Sequence, residues 1–276
     1  SVGLVPKGIN TFFISKLTFT PNITSVIGGP VEIETYFRFK WFWKRFLLFL
    51  LKYSTAITTK GSVVKRYLVE HNIPEKKIFS FNGSINTARF KPDPSQEKDI
   101  DILFLGMFRN LKGPDRVLKV VADLAKTNAK IRAHFLGDGY LFDKIQNDVA
   151  VNGLENQVVL HGYVSNPLPF LQRAKILMMP SRSEGLPTAM VEAMACECVP
   201  VVSDVGNIRD AIRHGENGFL VNDYKDVKQF MAYTEILLSD EEKRKELANN
   251  ARTFVVKNFA VEPQSAILGR LLNQIQ

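Results

Sequence analysis

The strongest pattern of chemically useful residues lies in the segment from residue 181 to 195, SRSEGLPTAMVEAMA. Glu184 follows a short apolar run typical of a buried strand. Pro187 suits the first position of a helix, where its missing N–H group costs nothing. Helix starts bind anions, because their free N–H groups and the helix dipole place about half a positive charge there. The N–H groups expected to be free are those of Thr188, Ala189 and Met190.

A second carboxylate, Glu192, comes eight residues after Glu184 and lies inside the same predicted helix. Carboxylates accept hydrogen bonds from the hydroxyl groups of a sugar or a ribose. The segment therefore predicts a site for a ligand that carries both a phosphate and hydroxyl groups. The alternative at this point is a helix start with an ordinary carboxylate in its first turns.

Three further loops, each placed after a predicted strand, carry weaker signals. In residues 106–113, GMFRNLKG, the first glycine permits an unusual turn and Lys112 can reach a phosphate. In residues 136–139, LGDG, we expect Asp138 to form part of a tight turn rather than to contact a ligand. In residues 161–164, HGYV, Gly162 would let a flat ring approach the backbone. Each loop taken alone has a simpler explanation. Lys112 would be a solvated lysine, residues 136–139 a tight turn, and residues 161–164 the ordinary end of a strand.

Short apolar runs rich in Val, Ile and Leu alternate with helical segments along the chain. Such alternation predicts βαβ units and parallel sheets covered on both faces, hence an α/β fold. Ligands of such sheets bind beyond the carboxyl ends of the strands, where all the loops above are expected. The predicted strands are 22–28, 54–59, 77–82, 100–105, 131–136, 158–160, 176–179, 200–203 and 219–221, and the predicted helices are 38–53, 62–71, 114–127, 140–152, 167–173, 187–196 and 208–214.

In this order, the four loops resemble those of the retaining glycosyltransferase family 4, which has the GT-B fold. The resemblance covers about residues 52–262 and includes a Glu-x7-Glu motif, made by Glu184 and Glu192. Pro-Ser precedes this motif and Glu-Ala-Met-Ala ends it. Further matching segments are PVV at 200–202, NGFLV at 217–221 and the interdomain-like stretch 82–92. The family fold implies two facing Rossmann-like, parallel-sheet α/β domains, of which the first is truncated here.

The resemblance implies a partial N-terminal, acceptor-side domain over residues 1–92 and a C-terminal nucleotide-sugar-binding domain over residues 93–262. A helix over 263–276 is expected to pack back on the first domain. The polar, proline-containing stretch 91–99 marks the boundary. The opening strand, the glycine-rich acceptor loop and the usual active-site histidine of the family are not visible, so we expect a fragment. None of the four histidines occupies that place, and no catalytic base is assigned.

The resemblance also implies roles for individual residues. Glu184, the candidate catalytic residue, would contact the hydroxyl groups of the donor sugar, and Glu192 would bind the ribose. Gly162 would line the base pocket, and Lys112 would bind the diphosphate. The other implied donor-binding residues are Gly106 and Arg109 in the loop after residue 105, and Gly185, Leu186, Pro187 and Thr188, a segment expected to offer backbone donors to the sugar and diphosphate.

The family moves a sugar from a nucleoside diphosphate to an acceptor hydroxyl, with retention at the anomeric carbon. For this chain it implies a hexose-type sugar, a UDP or GDP donor, and a cell-envelope glycolipid or polysaccharide acceptor. Lys112, Arg109 and the helix start would stabilise the negative charge that builds on the leaving diphosphate. No cofactor and no metal are expected, because the family works without a divalent cation. Two alternatives stay open: another GT-B enzyme, such as an epimerase or phosphorylase, and a fragment that binds the nucleotide sugar without catalysis.

Two positions depart from the family pattern. The family has Arg directly after the glycine that corresponds to Gly106, where this chain has Met107. Arg109 stands two residues later and either replaces that arginine, since its planar fork suits phosphate, or is a surface residue. The family also has Gly where Glu197 stands, which predicts a changed turn there.

The basic charge of the chain lies in its first third. Residues 1–92 hold 14 Lys and Arg against 4 Asp and Glu, a balance of 14 − 4 = +10, while the whole chain carries +8. This indicates an anionic partner, which is a membrane, a polyanion or nucleic acid. We expect the cytoplasmic membrane face and rank nucleic acid last, because its usual sequence signatures are missing. Residues 38–45, RFKWFWKR, interleave cations with large aromatic rings, as at a membrane interface. The alternative is a helix that buries its aromatic rings. Cys196 and Cys198 are expected to pack in the core of a cytoplasmic protein.

Overall fold

The computed structural model describes residues 7–26, 33 and 40–275, and the chain divides into two compact units. The first unit holds the residues up to Ser84 together with those from Val261 onward. The second unit runs from Ile85 to Ala260, whereas the predicted division lies at 92/93. Within residues 7–26, 33 and 40–275, no helix is long and apolar enough to cross a bilayer.

The first unit contains a three-stranded parallel sheet of order β1-β2-β3. One face of the sheet packs against helices, and the core there includes Leu47, Leu51, Ile57 and Leu68. The elements of this part are α1 (Ile9–Leu17), β1 (Ile23–Val26), α2 (Lys40–Tyr53), β2 (Ala56–Thr59), α3 (Ser62–Glu70) and β3 (Ile78–Ser80).

The second unit is a six-stranded parallel sheet of order β6-β5-β4-β7-β8-β9 with an apolar cluster on each face. Its elements are β4 (Ile100–Leu105), α4 (Pro114–Ala125), β5 (Ala133–Leu136), α5 (Phe142–Val151), β6 (Val158–Leu160), α6 (Leu168–Arg173), β7 (Ala174–Met179), α7 (Thr188–Ala195), β8 (Val199–Ser203), β9 (Phe219–Val221), α8 (Val227–Ser239) and α9 (Glu241–Phe259). The last helix, α10 (Val261–Ile275), groups with the first unit.

The central strands β4, β7 and β8 are almost entirely buried, because helices cover both faces of the sheet. This explains their continuous apolar runs, which are typical of parallel strands. Within the described residues, the predicted strands and helices are found with ends shifted by at most two residues, except for residues 208–214. Residues 27–28, 38–39 and 276 of the predicted elements lie outside the described residues. The helices α1, α8 and α9 were not among the predicted elements.

The predicted helix over residues 208–214 is wrong, since only a single 3₁₀ turn forms, at Ile208–Asp210. The side chain of Asn217 forms hydrogen bonds with backbone groups that would otherwise bond within a longer helix. Its Oδ1 accepts a hydrogen bond from the Arg213 N–H at 2.7 Å, and its Nδ2 donates to the Ala211 carbonyl at 3.0 Å. Asparagine side chains compete with helical hydrogen bonding in this way. The chain therefore turns back early and enters β9.

The end of α7 keeps a left-handed residue although glycine is missing there. Glu197 has a φ of +59°, the conformation that glycine favours after a helix. The Cys198 N–H donates to the Ala193 carbonyl at 3.0 Å and closes the helix end. The expected change of this turn relative to the family stays a prediction. Cys196 and Cys198 are free and buried, which confirms the predicted core packing. Burial raises the pKa of both thiols to about 12.

Candidate functional site

Five loops leave the carboxyl ends of neighbouring strands in the six-stranded sheet. Residues 106–113 follow β4, 137–141 follow β5, 161–167 follow β6, 180–187 follow β7 and 204–207 follow β8. Because β4 pairs with both β5 and β7 and all strands are parallel, these loops emerge at the same edge of the sheet. This edge is where parallel α/β sheets bind their ligands. All the predicted site residues lie on these loops or on α7, which follows one of them.

Lys112 and Glu184, the residues predicted to bind phosphate and sugar, form an ion pair with each other. The Lys112 Nζ lies 2.7 Å from Oε1 and 2.8 Å from Oε2 of Glu184. The two side chains are 22% and 7% exposed, so the pair is shielded from water. A shielded carboxylate needs hydrogen-bond donors, and Lys112 supplies them. A phosphate that reaches this ammonium group therefore comes close to the Glu184 carboxylate.

A backbone hydrogen bond joins the two loops beside this ion pair. The Arg182 N–H donates to the Leu111 carbonyl at 2.8 Å. Each of these residues is a near neighbour in sequence of one member of the pair. The backbone thus sets the distance between the loop after β4 and the loop after β7.

The loop after β5 holds the loop after β4 from its other side. The Gly106 N–H donates to the Leu136 carbonyl at 3.0 Å, and the Phe108 N–H donates to the Asp138 carbonyl at 2.7 Å. A Cβ atom at Gly137 would overlap the Gly106 carbonyl oxygen, so only glycine permits this close approach. The Leu-Gly-Asp-Gly segment is therefore a turn that supports the neighbouring loop.

Met107 and Arg109 both lie on the exposed side of the loop after β4. The ring of Phe108 between them is fully buried and anchors the loop in the core. In the part of the chain that the structure describes, Arg109 takes part in no ion pair. The replacement of the family arginine by Arg109 stays a prediction.

The loop after β8 supports Glu184 through its backbone, and these supporting residues were missed by the sequence analysis. Gly206 has a φ of +60°, and a Cβ atom there would overlap the Glu184 carbonyl oxygen. The Asn207 N–H donates to the Gly185 carbonyl at 3.1 Å. The available signal was a glycine three residues after a predicted strand, because glycine permits a close approach of two backbone segments.

The start of α7 offers fewer free N–H groups than the sequence predicted. The Met190 N–H donates to the Pro187 carbonyl at 3.2 Å, so the prediction that it is free is wrong. Pro187 is the N-cap residue of α7 and has no N–H group, so it cannot act as a backbone donor. The N–H groups of Thr188 and Ala189 have no backbone acceptor within the described residues. Leu186 is buried and fixes the end of the loop.

Glu192 lies in α7, half-buried and one helical turn beyond Thr188. Burial raises the pKa of the Glu192 carboxyl, and the positive charge of Arg89 opposes that change. A carboxyl group in such a setting is partly removed from water, which strengthens its hydrogen bonds to a ligand hydroxyl. Its role toward a ribose stays a prediction.

Gly162 has a φ of +66° and open space where a Cβ atom would stand. Its carbonyl accepts a hydrogen bond from the Gly137 N–H at 2.7 Å, which fixes the turn. The preceding residue, His161, places its Nε2 atom 3.0 Å from Nδ1 of His134. The turn is therefore rigid and leaves room for a flat ring at the Gly162 backbone. His134 lies in β5, the strand predicted over residues 131–136, and its contact with His161 was not predicted.

Helices cover both faces of this parallel sheet, which is the doubly wound, Rossmann-like architecture. Residues 86–254 match the family model described as glycosyl transferases group 1, which is more than half of the chain. The chain therefore belongs to the glycosyl transferases group 1 family.

Two relatives illustrate the similarity. An uncharacterised glycosyltransferase of Methanocaldococcus jannaschii is 30% identical over 217 residues, covering 76% of this chain and 58% of the relative. An α-1,4-N-acetyl-D-galactosaminyltransferase of Campylobacter jejuni, named for an undecaprenol-linked acceptor, is 34% identical over 163 residues, covering 58% of this chain and 44% of the relative. The chain spans about half the length of these curated relatives.

Solved structures show the same fold at lower identity. Anabaena HepE in complex with UDP matches with a TM-score of 0.77 and 17% identity, over 95% of this chain and 74% of that one. A Staphylococcus aureus TarM structure in complex with fondaparinux, α-GlcNAc-glycerol and UDP matches with a TM-score of 0.71 and 18% identity, over 88% of this chain and 48% of that one. The predicted α/β fold class with Rossmann-like parallel sheets is confirmed.

Proposed function

We propose that this chain binds a nucleoside-diphosphate sugar and is the donor side of a retaining family 4 glycosyltransferase, which transfers a hexose-type sugar. The observation that carries the proposal is the shielded Lys112–Glu184 pair on loops that meet at the edge where α7 begins. A cation, a carboxylate and free N–H groups at one edge suit a ligand with phosphate and hydroxyl groups. Two of the solved neighbours are complexes with UDP, so UDP is the first nucleotide to test.

The proposed chemistry assigns separate tasks to these groups. When the bond from the anomeric carbon to the diphosphate breaks, negative charge grows on the phosphate. Lys112 and the free N–H groups of Thr188 and Ala189 stabilise that charge. Glu184 accepts hydrogen bonds from the sugar hydroxyls while it remains next to Lys112. Glu192 and Gly162 bind the ribose and the base, and no side chain is assigned as the base that activates the acceptor.

The proposed acceptor is a glycolipid or polysaccharide of the cell envelope. This class is supported by relatives named for an undecaprenol-linked acceptor and for lipopolysaccharide. Such an acceptor lies at a membrane, and we include peripheral docking of the first unit on an anionic, cytoplasmic membrane face in the proposal.

The structure of α2 supports the docking proposal. One side of the helix is core, since Leu47, Leu50 and Leu51 are buried. Trp41 and Phe42 are 72% and 58% exposed, whereas Phe46 packs partly buried against this core, so the alternative of buried aromatic rings holds for only part of the helix. The helix has no acidic residue in its sequence, KWFWKRFLLFLLKY. Residues 38–39 of the basic aromatic stretch lie outside the described residues.

Calorimetry with UDP and GDP tests donor binding by this chain. NMR of the anomeric proton in the product, after incubation with UDP-glucose and a polyprenyl diphosphate-linked glycan, tests transfer with retention. Lack of binding to both nucleotides would overturn the proposal. Turnover of the nucleotide sugar without an acceptor would identify an epimerase, and release of sugar phosphate from a glycan with inorganic phosphate would identify a phosphorylase.

A further inference from the structure

The guanidinium group of Arg116 ties together the two loops that carry Lys112 and Glu184. Its Nε atom donates to the Pro180 carbonyl at 3.0 Å, and its NH2 group donates to the Asn110 carbonyl at 2.9 Å. Pro180 follows β7 directly, and Asn110 lies in the loop after β4. The Arg116 side chain therefore binds one backbone carbonyl in each loop and links the two loops.

The start of α4 places Arg116 in this position. Gly113, the N-cap residue, has a φ of +76°, and a Cβ atom there would overlap the Arg116 guanidinium. Pro114 then opens the helix. The glycine thus serves two purposes, since it permits the left-handed turn and leaves the space that the arginine crosses. In the sequence, this arginine looks like any solvated residue of a first helical turn.

The protein encloses the charge of Arg116. The side chain is only 15% exposed, and its NH1 group lies 3.7 Å from Oδ1 of Asp115. The ring of Tyr224 covers one face of the guanidinium at 5.1 Å. Its Nε and NH2 atoms are hydrogen-bonded to the two loops, its NH1 atom faces Asp115, and one ring face is covered, so the guanidinium has little capacity left for a phosphate. This distinguishes it from Lys112, whose ammonium group lies at the candidate site.

We propose that Arg116 is a positioning residue of the donor site, which sets the spacing between Lys112 and Glu184 without contacting the nucleotide sugar. Arginine is suited to this task, because its rigid fork reaches two carbonyls at once. A lysine at this position has a single nitrogen, so it cannot reach the two carbonyls from separate atoms. The inference rests on the proposed function, since it concerns the same site.

The test compares Arg116→Gln and Arg116→Lys with the unmodified chain, by UDP calorimetry and by thermal unfolding. Loss of the charge-assisted bonds in Arg116→Gln is expected to weaken UDP binding by roughly tenfold. Arg116→Lys is expected to lose less, because one loop contact is kept. The matched control is Arg173→Gln, which breaks a bidentate ion pair to Asp99 in the same unit. It is expected to lower the melting temperature and leave UDP affinity unchanged.

A double-mutant cycle separates positioning from general stability. If Arg116 acts through Lys112, Arg116→Gln adds little further loss of UDP affinity in a Lys112→Met background. Equal losses in both backgrounds, or unchanged UDP affinity in Arg116→Gln, would overturn the inference. If Arg116→Gln does not fold, the same cycle is measured with Arg116→Lys, and the coupling found with that variant decides whether the inference holds. Failure of the unmodified chain to bind UDP or GDP would instead overturn the proposed function.

Discussion

The ammonium group of Lys112 lies within 2.8 Å of both carboxylate oxygens of Glu184, so the two residues act as one unit. A diphosphate that approaches Lys112 competes with Glu184 for the same group. Removing the lysine leaves a shielded carboxylate without its partner, which is costly. Removing the carboxylate charge frees the lysine for another anion. The two changes are therefore expected to have opposite effects on nucleotide affinity.

Lys112→Ala should weaken UDP binding by about tenfold or more, because a charge-assisted contact to phosphate contributes about 1.5–3 kcal/mol. It should also lower the melting temperature, since Glu184 loses its partner. Calorimetry and thermal unfolding measure the two effects. Lys119→Ala, an exposed lysine on α4, is the control and should change neither. Unchanged UDP affinity in Lys112→Ala would remove this lysine from the site.

Glu184→Gln should impair sugar transfer while UDP binding is kept or becomes several-fold tighter, because an amide does not hold the Lys112 ammonium as a carboxylate does. Glu192→Gln should weaken binding of both UDP and UDP-glucose, since the ribose is common to them. Calorimetry with the two ligands compares these variants. Equal losses of UDP affinity in both variants would contradict this division of roles.

Gly206→Ala should destabilise the loop that carries Glu184, because the added methyl group overlaps the Glu184 carbonyl. Gly153→Ala is the matched control, since Gly153 has a φ of +63° with open space at its Cβ position. The control should lose about 1 kcal/mol of unfolding free energy through backbone strain alone. Gly206→Ala should lose about 1–3 kcal/mol more and weaken UDP binding. Urea unfolding and calorimetry check this, and similar results for both variants would contradict it.

Unfolding free energy should fall as pH drops below neutrality, through His134. Burial, assisted by the charge of His161, lowers the pKa of His134 to about 4, against about 6.5 in an unfolded chain. Between these values the unfolded chain binds more protons, so acid favours unfolding, by about 1–2 kcal/mol because solvent screens the half-buried ring. His134→Gln should remove this part of the pH dependence. Urea unfolding at pH 7 and pH 5 measures it, and equal pH slopes in both proteins would refute the expectation.

Trp41→Ser combined with Phe42→Ser should reduce binding to vesicles that contain phosphatidylglycerol, because exposed aromatic rings favour the interface. Tyr163→Ser removes a comparably exposed ring from the second unit and should have no effect. Co-sedimentation at low and high salt provides the measurement, and salt should release the protein. Binding that ignores lipid charge, or no binding by the unmodified chain, would exclude docking of this kind.

Local patterns were sufficient to predict most of the fold. The apolar runs of β4, β7 and β8 predicted buried parallel strands, because no other element buries both faces over so few residues. Pro187 predicted the start of α7 to within one residue, because proline favours the first helical turn. The helix predicted over residues 208–214 does not form, because the side chain of Asn217, which lies beyond that segment, forms a hydrogen bond with a backbone carbonyl inside it.

The contacts within the candidate site could not be predicted without knowing the order of the strands in the sheet. Lys112 and Glu184 are separated by 72 residues and meet because β7 lies next to β4, an order that the sequence of strands does not specify. The same holds for Gly206, whose loop reaches Glu184 because β8 follows β7 in the sheet. Residue types and spacing depend on local chemistry and are readable along the chain. Ion pairs and close backbone approaches between loops depend on which strands become neighbours, and that is fixed by packing of the whole sheet.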